Sequence, residues 1–211
     1  MASLRLLLAK CAKDGMHLRS VDISHAFLNG DLDEVIYMKQ PEGYEKGGPE
    51  YVCKLNKALY GLKQAARQWN TKLHTVLALM GFKRLQSDRS LYIYERDNVR
   101  IIMPVFIDDI TFASRSQAAL DSVVQELATH FKLRDLGPTS FLLGIAITRD
   151  WTRGTISLSQ RQYCLDILAR FGMSDCNPVY TPLTLVLASL PLFCLSRLRI
   201  KRSWQINRTA A

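Results

Sequence analysis

The chain has 211 residues and a formal net charge of +9, and 48% of its residues are hydrophobic, so it can bury a proper core within one medium domain or a pair of small subdomains. Setting aside 184–211, which carries five basic residues (Arg197, Arg199, Lys201, Arg202, Arg208) and no acid, leaves 23 basic and 19 acidic residues; the main body is only mildly basic, which permits nucleic-acid binding without demanding it. The five cysteines (Cys11, Cys53, Cys164, Cys176, Cys194) have no C-x-x-C pairing and no zinc-like spacing with a histidine, which argues against a zinc module and suits a reducing, intracellular compartment.

The first predicted element is a helix capped by Ser3 and running to about Ala12, where Gly15 ends it. Its apolar stretch, Leu4 to Ala9, is short and flanked by charge, so it reads as an amphipathic helix rather than a secretory leader. Leu18 to Ile23 reads as a strand carrying Asp22, followed by a turn at Asn29, Gly30 and Asp31. Val35 to Lys39 and Tyr51 to Leu55 are predicted to pair across the Gly- and Pro-rich loop 41–49. The strongest helical pattern covers Lys63 to Met80, with Leu62, Ala66, Trp69, Leu73, Val76, Leu77 and Met80 at three-four spacing and Gly81 as its end. Leu91 to Tyr94 and Val99 to Ile107 form a hairpin about Asp97-Asn98. A second helix covers Ser116 to Phe131, Phe141 to Thr148 is a strand paired with Thr155 to Leu158, and a third helix covers Gln160 to Phe171. The apolar run 183–195 contains Pro191 and is too short to span a bilayer, so no membrane segment is expected.

The chemistry concentrates at Phe106-Ile107-Asp108-Asp109-Ile110, two adjacent carboxylates between apolar strands. Acids in such surroundings are costly to desolvate unless a cation neutralises them. With Asp22 at the end of an upstream strand, three carboxylates on strand ends suit a pair of magnesium ions holding a triphosphate and a primer hydroxyl in line. The dipeptide by itself favours a tight hairpin turn with no metal, a preference that the rest of the chain reverses. Helices interleaved with antiparallel hairpins predict an α+β domain, with helices on one face of an antiparallel sheet and the carboxylates on an open opposite face.

Several strings together resemble the reverse transcriptases of copia-type retrotransposons. Val21 to Leu32 resembles that family's first catalytic motif, continued by Ile36 to Tyr44. Val52 to Leu55 and Leu59-Tyr60-Gly61-Leu62-Lys63-Gln64-Ala65-Ala66-Arg67-Gln68-Trp69 resemble its nucleotide-positioning motif. Phe106 to Ile110 resembles the Asp-Asp motif, and Asp135-Leu136-Gly137 with Phe141 to Ile145 resembles the segment ending in the primer-gripping hairpin. Ser159 to Tyr163, Arg170 to Met173 and Thr181 to Leu183 match the following region. The resemblance covers nearly all of 1–183 and stops there, so a domain at 1–183 and a non-homologous, disordered basic tail at 184–211 are expected.

The resemblance implies a right-hand polymerase palm, with partial fingers and the start of a thumb. It implies RNA-directed DNA polymerase activity, with Mg2+ (or Mn2+) held by Asp22, Asp108 and Asp109, Asp109 being the weaker ligand. Phe27 is implied as the aromatic under the incoming sugar, or else a core Phe; Gly61 gives backbone access to the nascent pair, and Lys63 meets phosphate or is a solvated helix terminus. Arg67 and Trp69 are expected to pack and orient, and Leu143 and Gly144 to lie in the primer-gripping hairpin. The implied partners are a template-primer duplex, dNTP and the integrase and ribonuclease H domains of an intact polyprotein, in cytoplasm, nucleus or a virus-like particle. Two departures matter: Ala66 stands where the family has proline, and the upstream fingers segment is missing. Weak or no activity is therefore expected, with an inactive, at most nucleic-acid-binding remnant as the alternative. A nucleotide-cyclase-like palm, a third reading, has no use for the Leu59 to Trp69 motif.

Overall fold

The computed structural model describes residues 2–48 and 50–177 and the backbone of Trp204–Ile206. The chain divides into two compact units, Met1–Thr139 and Ser140–Ala211.

The first unit opens with helix α1 (Ala2–Asp14), whose Leu4, Leu7, Leu8, Cys11 and Ala12 are buried. The helix begins one residue before Ser3, so Ser3 lies inside its first turn rather than capping it. Then come β1 (His17–Ile23), a short 3-10 helix (Ala26–Asn29), β2 (Tyr37–Lys39), β3 (Val52–Lys54), helix α2 (Ala65–Leu79), β4 (Lys83–Arg84), β5 (Leu91–Arg96), β6 (Val99–Phe106), β7 (Asp109–Ser114), helix α3 (Gln117–His130) and β8 (Leu133–Pro138). Six strands form one sheet in the order β4-β5-β6-β7-β1-β8, and every pairing in it is antiparallel; β2 and β3 pair separately, as their alternation predicts. Strand β1, an early element, thus sits between two later ones.

Alternation along the strands sorts the sheet into two faces. Val21, Ile23, Ile101, Met103, Val105, Ile110 and Phe112 point to one face and form a single core with Trp69, Leu73, Val76 and Leu77 of α2 and Leu120, Val123, Val124 and Leu127 of α3. Ser116 caps α3 by accepting from the Ala119 N–H at 3.2 Å. The opposite face is not open along its length, contrary to expectation. Ser20, Ile102, Thr111 and Ala113 are buried there, and Ser20 Oγ bonds the hydroxyls of Thr111 (3.2 Å) and Thr139 (2.7 Å). Asp22 and Asp109, at one end of that face, stay accessible.

Arg19 fastens β1 from the side. Its guanidinium bonds Asp121 on α3 and Asp135 on β8, the Nε–Asp135 bond being 3.1 Å, and it holds the Asp135 carboxyl below the usual carboxylate range. Gly30 fastens the 3-10 helix to α2: a Cβ there would lie 3.1 Å from the Trp69 backbone nitrogen and 3.2 Å from the Phe27 carbonyl oxygen.

The second unit contains β9 (Phe141–Leu142), β10 (Ile145–Asp150), β11 (Thr155–Ser159) and helix α4 (Arg161–Arg170). The single strand expected over 141–148 is broken after two residues, because Leu143 (φ 50°) and Gly144 (φ 75°) form a tight reversal. Of the tail at 184–211, expected to be disordered, Trp204–Ile206 alone is described, as β12, antiparallel to β11 with Ile156 opposite Ile206; this triplet carries no charge and is rich in strand-forming residues. The rest of that expectation falls outside the described residues.

The Gly30 contact yields a stability prediction. Gly30→Ala forces the 3-10 helix off α2 and should cost about 1–3 kcal/mol in urea unfolding, whereas Gly43→Ala, whose Cβ would meet nothing within 4 Å, should cost less despite its positive φ.

Candidate functional site

Asp22 is the last residue but one of β1 and lies directly opposite Asp109, the first residue of β7. Directly opposed Cβ atoms in an antiparallel ladder stand about 5 Å apart, and like charges there repel. The Asp109 carboxyl is correspondingly pushed up, by burial first and then by the charges of Asp108 and Asp22. Among the described residues, none of the three carboxylates shares an ion pair with a basic side chain. Asp22 is half-buried and Asp108 and Asp109 are exposed, so the group faces solvent.

Asp108 occupies the turn that joins β6 to β7. The turn has two residues, Ile107 and Asp108, so the carboxylate pair is not the turn itself: Asp109 already belongs to the strand. Ile107 has φ 59°, at a position where a glycine normally supplies a positive φ. For a β-branched residue this conformation costs on the order of 1–3 kcal/mol. Ile107 is 54% exposed, so burial of its side chain does little to hold it there. Two backbone carbonyls are tied down instead. The Trp69 indole N–H donates to the Ile107 carbonyl at 2.8 Å, and the Ile23 N–H donates to the Asp108 carbonyl at 2.9 Å. Trp69 is 2% exposed and meets Phe131 edge-on, with ring centroids 5.2 Å apart.

Phe27 sits on the 3-10 helix, partly buried against the core, its ring 5.6 Å from that of Tyr60. It lines a cavity of about 280 Å³ together with Trp69, Tyr92 and Ile107, into which Asn70, Arg84 and Arg89 also project. Arg84 is held in place by the Arg89 carbonyl (Nε, 2.6 Å), the Asn70 side-chain oxygen (3.1 Å) and the Tyr92 ring (5.5 Å). The structure therefore brings Phe27 and Ile107 to one cavity. Gly61 (φ 98°) and the exposed Lys63 precede α2, which starts two residues later than the pattern predicts, and neither lines that cavity. Leu143 and Gly144 belong to the second unit. Sequence reading missed Arg84 and Arg89; the only signal was one arginine within the two-residue β4 and another five residues on. It also missed the turn's dependence on Trp69, because nothing in Phe-Ile-Asp-Asp announces a positive φ.

No group of three His, Cys, Asp or Glu side chains converges into a ready-made metal cage among the described residues. Magnesium seldom needs one: it keeps several waters and is held by one or two carboxylates plus substrate phosphates. Uncompensated like charges, two of them opposed across a ladder, are a donor set that fits it. Among the described residues no helix is long and apolar enough to cross a membrane.

A family profile described as reverse transcriptase (RNA-dependent DNA polymerase) matches residues 1–185. The chain is 39% identical over 186 residues to the retrovirus-related Pol polyprotein from transposon TNT 1-94 of Nicotiana tabacum, a match covering 87% of this chain and 14% of that protein. It is 39% identical over 182 residues to the corresponding polyprotein from transposon RE1 of Arabidopsis thaliana, covering 86% and 12%, and 34% identical over 174 residues to a transposon Ty5-1 protein of Saccharomyces cerevisiae, covering 82% and 55%. The chain thus spans a minor part of the two plant polyproteins.

The electrostatic crowding is testable by itself. A carboxyl whose folded pKa lies above its unfolded value destabilises the fold once the pH exceeds both. Asp109→Asn should accordingly raise stability near pH 7, by at most about 1 kcal/mol at so exposed a site. The gain should fade as the pH falls through the raised folded pKa and be gone below the unfolded value of about 3.9; thermal melts at pH 7 and pH 3.5 measure both.

Proposed function

This chain belongs to the reverse transcriptase (RNA-dependent DNA polymerase) family, and we propose that its six-stranded unit is the palm of an RNA-directed DNA polymerase whose reacting groups assemble at Asp22, Asp108 and Asp109. The observation that carries this reading is the register of β1 against β7, which opposes Asp22 and Asp109 at an accessible end of the sheet. Finer divisions into fingers and thumb, and a domain limit at 183, rest on the family resemblance.

The reaction is nucleotidyl transfer. The primer 3′-hydroxyl gives up its proton to solvent, its oxygen forms a bond to the α-phosphorus of a dNTP, the bond from that phosphorus to the bridging oxygen breaks, and pyrophosphate leaves with the electron pair. Mg2+ or Mn2+, when bound, supplies charge neutralisation for the phosphates and lowers the pKa of the attacking hydroxyl. Asp22 and Asp108 supply the oxygen ligands on this side, with Asp109 beside them. The β1–β7 ladder and the Ile107–Asp108 turn keep those oxygens in place, and pre-set positions of this kind account for much of phosphoryl-transfer catalysis. Phe27 packs under the incoming sugar: its ring is backed by the core and shares a cavity with Ile107. Gly61, open around its Cα, admits the nascent base pair, and Lys63 contacts phosphate.

The substrate is then a template-primer duplex with dNTP, in an intracellular, reducing setting. The relatives are named Pol polyproteins, which supports further polyprotein domains, integrase and ribonuclease H, as companions of this one.

Extension of a DNA primer on an RNA template tests the reading. Asp22→Asn and Asp108→Asn should each abolish the incorporation that the unmodified chain supports. Calorimetric Mn2+ binding should weaken in the same two variants, and less in Asp109→Asn. Incorporation that survives both substitutions would place the chemistry elsewhere.

A further inference from the structure

We propose that Trp69 is a positioning residue of the carboxylate hairpin: its indole N–H, by holding the Ile107 carbonyl, keeps the strained turn in the shape that sets Asp108 and Asp109 against Asp22. The cation-related part of this rests on the function proposed above; the hold on the turn does not.

Three observations converge. First, Ile107 adopts φ 59° with a β-branched, 54% exposed side chain, so neither backbone preference nor burial keeps it in place. Second, the turn's two carbonyls are each fixed from outside the hairpin, Ile107 by the Trp69 indole at 2.8 Å and Asp108 by the Ile23 N–H at 2.9 Å. The latter bond belongs to the residue after Asp22, so a turn that relaxes also loosens the β1–β7 ladder at the carboxylates. Third, Trp69 is itself rigid: it is 2% exposed, clamped edge-on against Phe131 and seated where Gly30 leaves room for its backbone. A tryptophan serving only as core filler does not need its N–H there; phenylalanine would fill much of the same space and offer no donor. A donor on a buried, immobile ring is a means of transmitting the rigidity of the α2–α3 core to an exposed turn.

Trp69→Phe removes the donor and keeps most of the ring; Ile107→Gly removes the strain that the donor opposes. Amide hydrogen exchange by NMR reads the turn directly. Trp69→Phe should speed exchange at the Ile23 amide by about tenfold more than at Phe112 in the same sheet, and weaken Mn2+ binding several-fold. In the Ile107→Gly background the same substitution should change neither, a non-additivity that a merely structural tryptophan would not produce. Equal acceleration at Ile23 and Phe112, or effects that simply add, would overturn the proposal. If Mn2+ affinity in the unmodified chain proves insensitive to Asp22→Asn, the cation reading falls while the exchange comparison still decides the hold on the turn. Should Trp69→Phe not fold, the unmodified chain decides: the Trp69 indole proton and the Ile23 amide must exchange together, and independent exchange would overturn the proposal.

Discussion

Two carboxylates set directly across an antiparallel ladder repel one another, and the β1–β7 register makes Asp22 and Asp109 such a pair. The arrangement of the first unit follows from making that register unavoidable. On one side β1 pairs with β7 and on the other with β8, so it cannot slide without breaking two ladders at once. A slip of one residue would turn Val21 and Ile23 out of the core and Asp22 into it. Arg19, bonded to Asp121 and Asp135, adds a charged fastening to α3 and β8. The repulsion is thus maintained by the much larger sum of apolar burial beneath it.

The same trade recurs in the turn. A glycine at position 107 would relieve the positive φ, and an asparagine-glycine pair would make the easier hairpin. The chain keeps Ile107 and Asp108 and holds their carbonyls from outside. A raised carboxyl pKa, opposed acids and a positive φ at a β-branched residue fall together at 107–109 and Asp22. Concentrated local violations inside a consistent fold mark the place where function, rather than stability, set the residues.

Much of this was legible in the sequence, for physical reasons that differ by element. Helix α2 announces itself through Trp69, Leu73, Val76 and Leu77, because a helix packed on one face must repeat near 3.6 residues; α3 does likewise. The carboxylates stood out because acids are rare between buried strands, and the family strings gave them an order. What was hidden depends on contacts distant in sequence. Strand β8 reads Leu-Arg-Asp-Leu-Gly-Pro, with no clean alternation, and exists because β1 offers it a partner. The break at Leu143-Gly144 lies in an apolar string that looks like one continuous strand. The covering of the opposite sheet face depends on Ile102 and Ala113, which period-two patterning would leave as ordinary alternate positions. The bond from Trp69 to Ile107 joins residues 38 apart, and no local pattern encodes it.

The central claim is that one cation-binding locus lies between the end of β1 and the β6–β7 turn. Paramagnetic broadening by substoichiometric Mn2+ in an amide NMR spectrum tests it most directly, since broadening falls steeply with distance from the ion. The account predicts that the Asp22, Ile23, Asp108 and Asp109 amides broaden first, ahead of exposed acids such as Asp97 at the far end of the β5–β6 hairpin, and that Asp22→Asn abolishes the preference. Broadening that is uniform over the acidic surface, or strongest at Asp97, would contradict it.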